Sequence, residues 1–501
     1  MSKSIIIIGA GIAGLSAGCY GQMNGYRTQI FELHDKPGGL CTSWKRKGYT
    51  FDGCIHWLVG SGAGSSFNRI WQELGAAQER HMVDHDEFLR VEGTNDKAFI
   101  LYTDADRLEQ HMKALAPADS EGIEELCDGV RLFARFGRAV GLPGGPSGLL
   151  DGIKMGLKML PFMGGFRKYS RMSAQDFGLG FSDPFLRRAF TLVFDMPNFP
   201  MVALLMTLGW MHNRDAGYPI GGSLAFAQAI ERRYLDLGGA LHYKSRVEKI
   251  LIENDRAVGV RLAEGAEHRA DVVISAADGH ATIFDMLEGK YVNDKVRGYY
   301  DELPIFPPVI QVSLGVARDL SSEPHSVIYP LAEPITVAGE ERKRLSIRHF
   351  CYDPTLAPPG KSVITVIFNS NYAYWKELYP EREQYDTEKK EIALQVIGQL
   401  ERRFPGITDQ VEAVDVATPM TYERYTGNWQ GSMEGWLITT ETMGMAMGRG
   451  MDKTLPGLEN FYMVGQWVEP GGGLPPAAMS GRRVIRTICK RDKKQFEARI
   501  P

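Results

Sequence analysis

The run SIIIIGAGIAGL near the N-terminus leaves few folds open to this chain. Ser4–Ile8 is short and β-branched, as a strand buried on both faces of a parallel sheet requires. GAGIAG follows with no spacer and sets Gly9, Gly11 and Gly14 in GxGxxG spacing. Small and apolar residues continue as a helix to about Asn24, and a second strand over residues 28–31 ends at Glu32. Strand, glycine turn, helix, strand and acid stand in the order a dinucleotide site needs. Gly9 makes the tight turn, Gly11 lets backbone approach a pyrophosphate on the helix N-terminus, and Gly14 lets helix and strand pack closely. Glu32 accepts from a ribose hydroxyl, and its charge disfavours a 2′-phosphate, so FAD or NAD is expected rather than NADP. The fixed glycine spacing and a single early lysine argue against a secretory signal.

A second glycine-rich stretch, VEPGGGLPPAAMSGRR, lies at residues 468–483. Three glycines cost chain entropy, so an ordered domain keeps them for a reason. Pro475 and Pro476 suit the first turn of a helix, where a missing N–H matters least. Between these ends, Pro37-Gly38-Gly39 exposes more backbone beside the expected ribose, and Tyr49-Thr50-Phe51-Asp52 reads as a strand. A nicotinamide dehydrogenase has no need of that segment.

The segments GAGIAGL, FELHDKPGGLCTSW, FDGCIHWL, YPIGGSLAFAQAIERRYLDLGG, ADVVISAAD, TPMTYERYTG and LPGLENFYMVGQWVEPGGGLPPAAMSGR together resemble the phytoene desaturase, carotenoid isomerase and retinol saturase family of FAD-dependent oxidoreductases. The resemblance touches both ends and the middle of the chain. It implies an α/β fold of amine-oxidase-like architecture, with a Rossmann-like FAD-binding domain interleaved with a substrate domain of mixed sheet and helical lid. On that reading, residues 1–66, 216–301 and 417–501 build the FAD domain, residues 67–215 a mainly helical lid, and residues 302–416 the sheet and helix of the substrate domain. The implied cofactor is non-covalent FAD, held by Gly9, Gly11, Gly14, Glu32, Gly38, Gly39, Leu40, Val247, Gly465, Gln466, Gly472, Gly473 and Leu474. The family carries Gly-Asp where this chain has Gly465-Gln466, and an amide still hydrogen-bonds a ribityl hydroxyl. The positive end of the helix after the glycine run stabilises negative charge on a reduced flavin.

No Ser-His-Asp, Cys-His or HExxH set can be assembled by spacing, which leaves the flavin as the reactive group. His56, in FDGCIHWL, is the side chain expected to face the ring as acid, base or donor. Arg424, in TYERYTG, is the second candidate for the chemistry, as a partner for a flavin or substrate oxygen. The resemblance implies hydride exchange between the flavin and carbon–carbon bonds of a long apolar polyene or isoprenoid, carotenoid- or retinoid-like. FDGCIHWL is nearer to the retinol saturase version, which favours saturation. The alternatives are a flavin-dependent double-bond isomerase with no net redox change, an amine-oxidase-type enzyme, and a non-catalytic flavin carrier. Many methionines and aromatics (21 Met, 23 Phe) suit a deep apolar pocket.

A second GxGxxG after a strand is absent, so the flavin's electron partner is left open among a quinone, oxygen and a reductase. The net charge of −4 points to no nucleic acid. Six scattered cysteines without a CxxC pair fit a reducing, cytoplasmic setting. No stretch reaches the ~20 apolar residues of a membrane span. Residues 152–172, however, mix Leu, Met and Phe with Lys154, Lys158, Arg167, Lys168 and Arg171 and contain no acid, a pattern suited to a membrane surface.

Overall fold

Ser4–Ile8 is the central strand of a five-stranded parallel sheet. The order is Ala240–His242, Arg27–Phe31, Ser4–Ile8, Val272–Ser275 and Phe461–Met463, so three distant parts of the chain meet in one sheet. The computed structural model describes residues 2–93, 97–139, 149–193, 195–196, 198–447 and 451–501. Ile5 and Ile7 are fully buried in one core cluster and Ile6 and Ile8 in another, as a parallel sheet covered on both faces demands. One face carries the helices Ile12–Met23, Gly222–Asp236 and Leu474–Arg491. A three-stranded antiparallel layer, Val247–Glu253, Arg256–Leu262 and Glu267–Arg269, packs on the other. The loops that follow the parallel strands, including those starting at Gly9, Glu32, Ala276 and Val464, lie at the carboxyl edge, where sheets of this topology bind ligands. The basic C-terminal tail is docked: Phe496 lies 5.8 Å from the Tyr20 ring, with the Arg482 guanidinium 5.0 Å from its own ring.

The second layer is a seven-stranded mixed sheet in the order Val411–Ala417, Val309–Val316, Ser362–Asn369, Glu340–His349, Ser326–Val337, Glu87–Glu92 and Ala98–Tyr102. Its last two strands come from the mainly helical stretch of residues 67–215. Glu87–Glu92 joins the sheet by parallel pairing with Ser326–Val337, so the two insertions share one sheet. The helices of that stretch start with Ser66–Glu73 and, after the two strands, continue through Ala105–Leu115, Ser120–Ala139, Leu149–Tyr169 and Met201–His212. Helix Arg382–Arg403 covers the sheet, with Ile392, Val396 and Leu400 fully buried against it.

Helix Leu149–Tyr169 docks through Phe162, Phe166 and Tyr169, and the Phe166 ring meets Phe133 edge-on at 5.0 Å. Its other side keeps Leu157, Leu160 and Met163 more than half exposed, next to exposed Lys154, Lys158, Arg167 and Lys168. Among the described residues, no helix is long and apolar enough to cross a membrane.

Candidate functional site

Gly9 leaves its strand at φ +93°, where side chains are disfavoured, and its N–H donates to Phe31 O at 2.8 Å. A Cβ on Gly14 would lie 2.0 Å from Gly9 O and 3.1 Å from Ala276 Cβ, so helix and strand meet through bare backbone. Gly11 caps the helix Ile12–Met23 without any side-chain hydrogen bond to its first turn. That turn offers its N–H groups to a ligand. Gly38, at φ +107°, donates to Ala10 O at 2.9 Å, and a Cβ on Gly39 would lie 3.4 Å from Gly11 Cα. Leu40 follows, half-buried, and its carbonyl accepts from Thr42 N–H, while the Thr42 hydroxyl is buried with no partner. Glu32 is buried and accepts from Ala10 N–H at 2.7 Å and His34 N–H at 2.8 Å. Burial raises its pKa, and those donors oppose the rise. Val247 packs in the same core as Phe31 and Ile8.

Gly471, Gly472 and Gly473 take φ +110°, +66° and +84°, three successive conformations in which a side chain is strained. Gly473 caps helix Leu474–Arg491, again without a side-chain hydrogen bond, and Leu474 is its first residue. This helix lies on Ile12–Met23: Ser16 donates to Ala478 O at 2.6 Å, and a Cβ on Gly481 would lie 2.6 Å from Ala13 O and Ala17 N. Gly465 N–H donates to Ser480 Oγ at 3.0 Å, which ties the strand end to the same helix. The two glycine loops are therefore fixed relative to each other. Gln466 donates its amide to Asn428 Oδ1 at 3.2 Å, an internal partner that the sequence does not reveal. Two uncapped helix starts, a buried ribose-type acid, an orphaned Thr42 hydroxyl and glycines that leave room fit FAD.

The strand Tyr49–Asp52 supplies a residue that sequence reasoning passed over. Asp52 is buried and accepts from Ser223 N–H at 2.6 Å, Ser223 Oγ at 2.5 Å and Cys54 N–H at 3.0 Å. A Cβ on Gly222, at φ +67°, would lie 2.3 Å from Asp52 Oδ2, so the glycine pair before this helix serves the acid. The only advance signal is the pairing of FDG with a distant GGS.

His56 lines a cavity of about 90 Å³ with Trp57, His85, His325 and Arg348. The lining of this cavity is largely polar. Apolar side chains line a second cavity of about 180 Å³ instead, against Ile283, Tyr299, Met451, Trp467 and Val468. Burial and then the Arg348 charge hold the His56 pKa well below the ordinary histidine range, so its ring is neutral at pH 7. Arg424 does not join His56. It is exposed on helix Pro419–Thr426, its guanidinium 5.4 Å from the Tyr425 ring, and Tyr425 packs on His34 at the nucleotide end.

Glu434 is a further residue missed from sequence. A Cβ on Gly472 would lie 2.1 Å from its Oε2, so this carboxyl sits directly against the glycine loop. Burial pushes its pKa up to about 7 from an ordinary 4.5. Below pH 4.5 the folded and unfolded chains both hold the proton. Between 4.5 and 7 only the folded chain keeps it, so stability falls as pH rises through that window. Asp278, at about 7, and Asp215, at about 6, add slopes of the same sign. In FAD-free protein, Glu434→Gln is expected to flatten the decline measured by urea unfolding at several pH values. An unchanged slope would show that Glu434 ionises normally.

Residues 12–489 match the family described as flavin containing amine oxidoreductase. A prolycopene isomerase of Arabidopsis thaliana is 24% identical over 95% of this chain and 81% of its own length. A 4,4'-diapophytoene desaturase (4,4'-diapolycopene-forming) of Methylomonas is 24% identical over 99% of this chain and 97% of its own. Among solved structures, an oxidoreductase from Methanosarcina mazei superposes with a TM-score of 0.61 at 18% identity, covering 96% of this chain and 100% of the other.

Proposed function

The chain belongs to the flavin containing amine oxidoreductases, and from that premise we propose that it is an FAD-dependent oxidoreductase acting on carbon–carbon bonds of a long polyene or isoprenoid. The observation that carries this reading is the joining of two glycine cradles on one parallel sheet, in a chain whose relatives bear the names of carotenoid enzymes. FAD, when bound, supplies a centre that takes up or gives hydride. Gly9, Gly11, Gly14, Gly38 and Gly39 admit the pyrophosphate, and Glu32 holds the adenosine ribose. Leu40 and Val247 flank the nucleotide, while Gly465 and Gln466 approach the ribityl chain. Gly472, Gly473 and Leu474 present backbone N–H groups to the ring. His56, kept neutral beside Arg348, takes the proton that leaves the carbon adjacent to the one losing hydride. The two electrons pass on to an acceptor, for which a quinone, oxygen or a reductase are the candidates. Residues 1–66, 216–301 and 417–501 form the cofactor unit, and the seven-stranded sheet with its helices forms the substrate unit.

A second reading, a double-bond isomerase without net redox change, is favoured by the prolycopene isomerase match. Anaerobic mixing of holoenzyme with carotenoids and retinoids separates the two. Bleaching of the oxidised flavin means desaturation, and recolouring of pre-reduced enzyme means saturation. Isomer exchange only with reduced flavin, at constant flavin absorbance, means isomerisation. Rapid reduction by small amines while every lipid is inert would place the chain with the amine oxidases and sink the polyene reading.

The exposed Leu157, Leu160 and Met163 among cations support binding of helix Leu149–Tyr169 to a membrane surface, which gives an apolar substrate its entry route. Sedimentation with anionic liposomes is expected. Raising salt should release part of the protein, because each lysine or arginine near the surface contributes about 1 kcal/mol that salt screens. A Leu157→Glu, Leu160→Glu variant should stay in solution. Wild-type protein that ignores every lipid would remove this surface from the proposal.

A further inference from the structure

The cavity beside His56 holds a buried cation without a carboxylate partner. Arg348 Nη2 donates only weakly, to Ser326 Oγ at 3.3 Å, and Nη1 is buried with no hydrogen-bond partner. Among the described residues no carboxylate pairs with Arg348. Two further donors nearby are also idle: His85 Nε2 and the Tyr352 hydroxyl are buried without partners. The rings are held together, with His85 stacked on His325 at 3.8 Å and Tyr352 edge-on to His85 at 4.4 Å. A folded chain that buries a guanidinium without a counter-charge, beside orphaned donors, bears a cost that a bound anion removes.

The cavity's carboxylates do not fill this role. Asp86 and Asp104 sit at its mouth, 74% and 56% exposed, the first 3.6 Å from Arg107 and the second capping helix Ala105–Leu115. Glu87 is paired with Arg90 at 3.0 Å, and Asp84 is exposed near Arg214. The exposed acids and the buried guanidinium line the same cavity without pairing with each other.

We propose that Arg348, with His85, forms a subsite for the terminal carboxylate of the substrate, which is then a polyene acid rather than a plain hydrocarbon. The inference rests on the polyene reading given above and narrows it. The guanidinium fork meets a carboxylate with two parallel N–H···O bonds, and neutral His85 donates a further N–H. A cavity of about 90 Å³ accommodates a carboxylate and a few carbons, with the chain leaving past Trp57. The neutral states of His56, His85 and His325, each depressed by burial and by Arg348, spare the site any further charge in the absence of ligand.

The test is quenching of tryptophan fluorescence in the FAD-loaded enzyme by retinoate, retinol and benzoate, in wild type, Arg348→Met and Arg348→Lys. Retinoate is expected to bind about ten- to a hundredfold more tightly than retinol, the worth of a charge-assisted bidentate contact. Arg348→Met should erase the difference, and Arg348→Lys should keep only part of it, since an ammonium lacks the fork. Arg348→Met should also raise the melting temperature of ligand-free enzyme by a few degrees, because it removes an unpaired buried charge; a purely structural arginine would lower it. Equal affinity for retinoate and retinol, or a preference that survives Arg348→Met, overturns the subsite. Benzoate binding that requires Arg348 while both retinoids are inert supports the subsite and sinks the polyene reading alone.

Discussion

Gly14→Ala is expected to yield protein that binds no FAD and has lost about 3 kcal/mol or more of stability, at or beyond the usual ~1–3 kcal/mol of an overpacked core. The added Cβ would lie 2.0 Å from the Gly9 carbonyl oxygen, and its other near neighbour is Ala276 Cβ on the adjacent strand. Neither is the far end of a flexible side chain. Gly9 is itself held by its N–H to Phe31 O, so relief of the clash must move the central strand or the helix. Gly11→Ala is the informative companion. Gly11 has φ −65°, and a Cβ there would meet nothing nearer than Gly38 O at 4.0 Å. That variant should unfold in urea like wild type yet fail to retain FAD, because its methyl occupies the space the pyrophosphate needs. Wild-type stability in Gly14→Ala would show that helix and sheet are not locked through this glycine.

Asp52→Ala carries the second large effect. It strips the acceptor from Ser223 N–H and the Ser223 hydroxyl, both fully buried, and from the half-buried Cys54 N–H. Each buried donor left unpaired costs about 1–3 kcal/mol, so a total loss of about 3–5 kcal/mol is expected, together with loosening of the segment that carries His56. Asp52→Asn preserves the shape and the acceptor at Oδ1, and should lose roughly half as much. Denaturant titration of both variants decides. A loss below about 1 kcal/mol in Asp52→Ala would mean that water replaces the carboxylate and that the site is wetter than this packing implies.

The parts of the fold that were legible in the sequence are those dictated by neighbours in the chain. Ser4–Ile8, Ile12–Met23 and Tyr49–Asp52 could be read because periodicity and glycine spacing act over a few residues. Glu87–Glu92 could not be singled out as a strand within a mainly helical stretch because its parallel partner, Ser326–Val337, lies more than 200 residues away. The His56 cavity shows the same limit. His56 stood out beside a flavin-type motif, but His85, His325 and Arg348 come from three other segments with no local signal. Glu434 reads as one more acid until Gly472 is folded against it. The TYERYTG motif shows a related limit: which of its side chains faces outward, as Arg424 does, and which packs on His34, as Tyr425 does, is set by the helix Pro419–Thr426 and its neighbours.

The parallel sheet that opens with Ser4–Ile8 closes with Phe461–Met463, about 450 residues later. At ~5–20 residues per second, synthesis separates these strands by roughly twenty to ninety seconds. Throughout that time the Ile12–Met23 helix lacks the Leu474–Arg491 helix that covers it, and the second glycine loop does not yet exist. Cofactor capture is thus reserved for a chain that has been made through the helix Leu474–Arg491, and a product terminated before it is left with an uncovered apolar helix that marks it for chaperones and proteases.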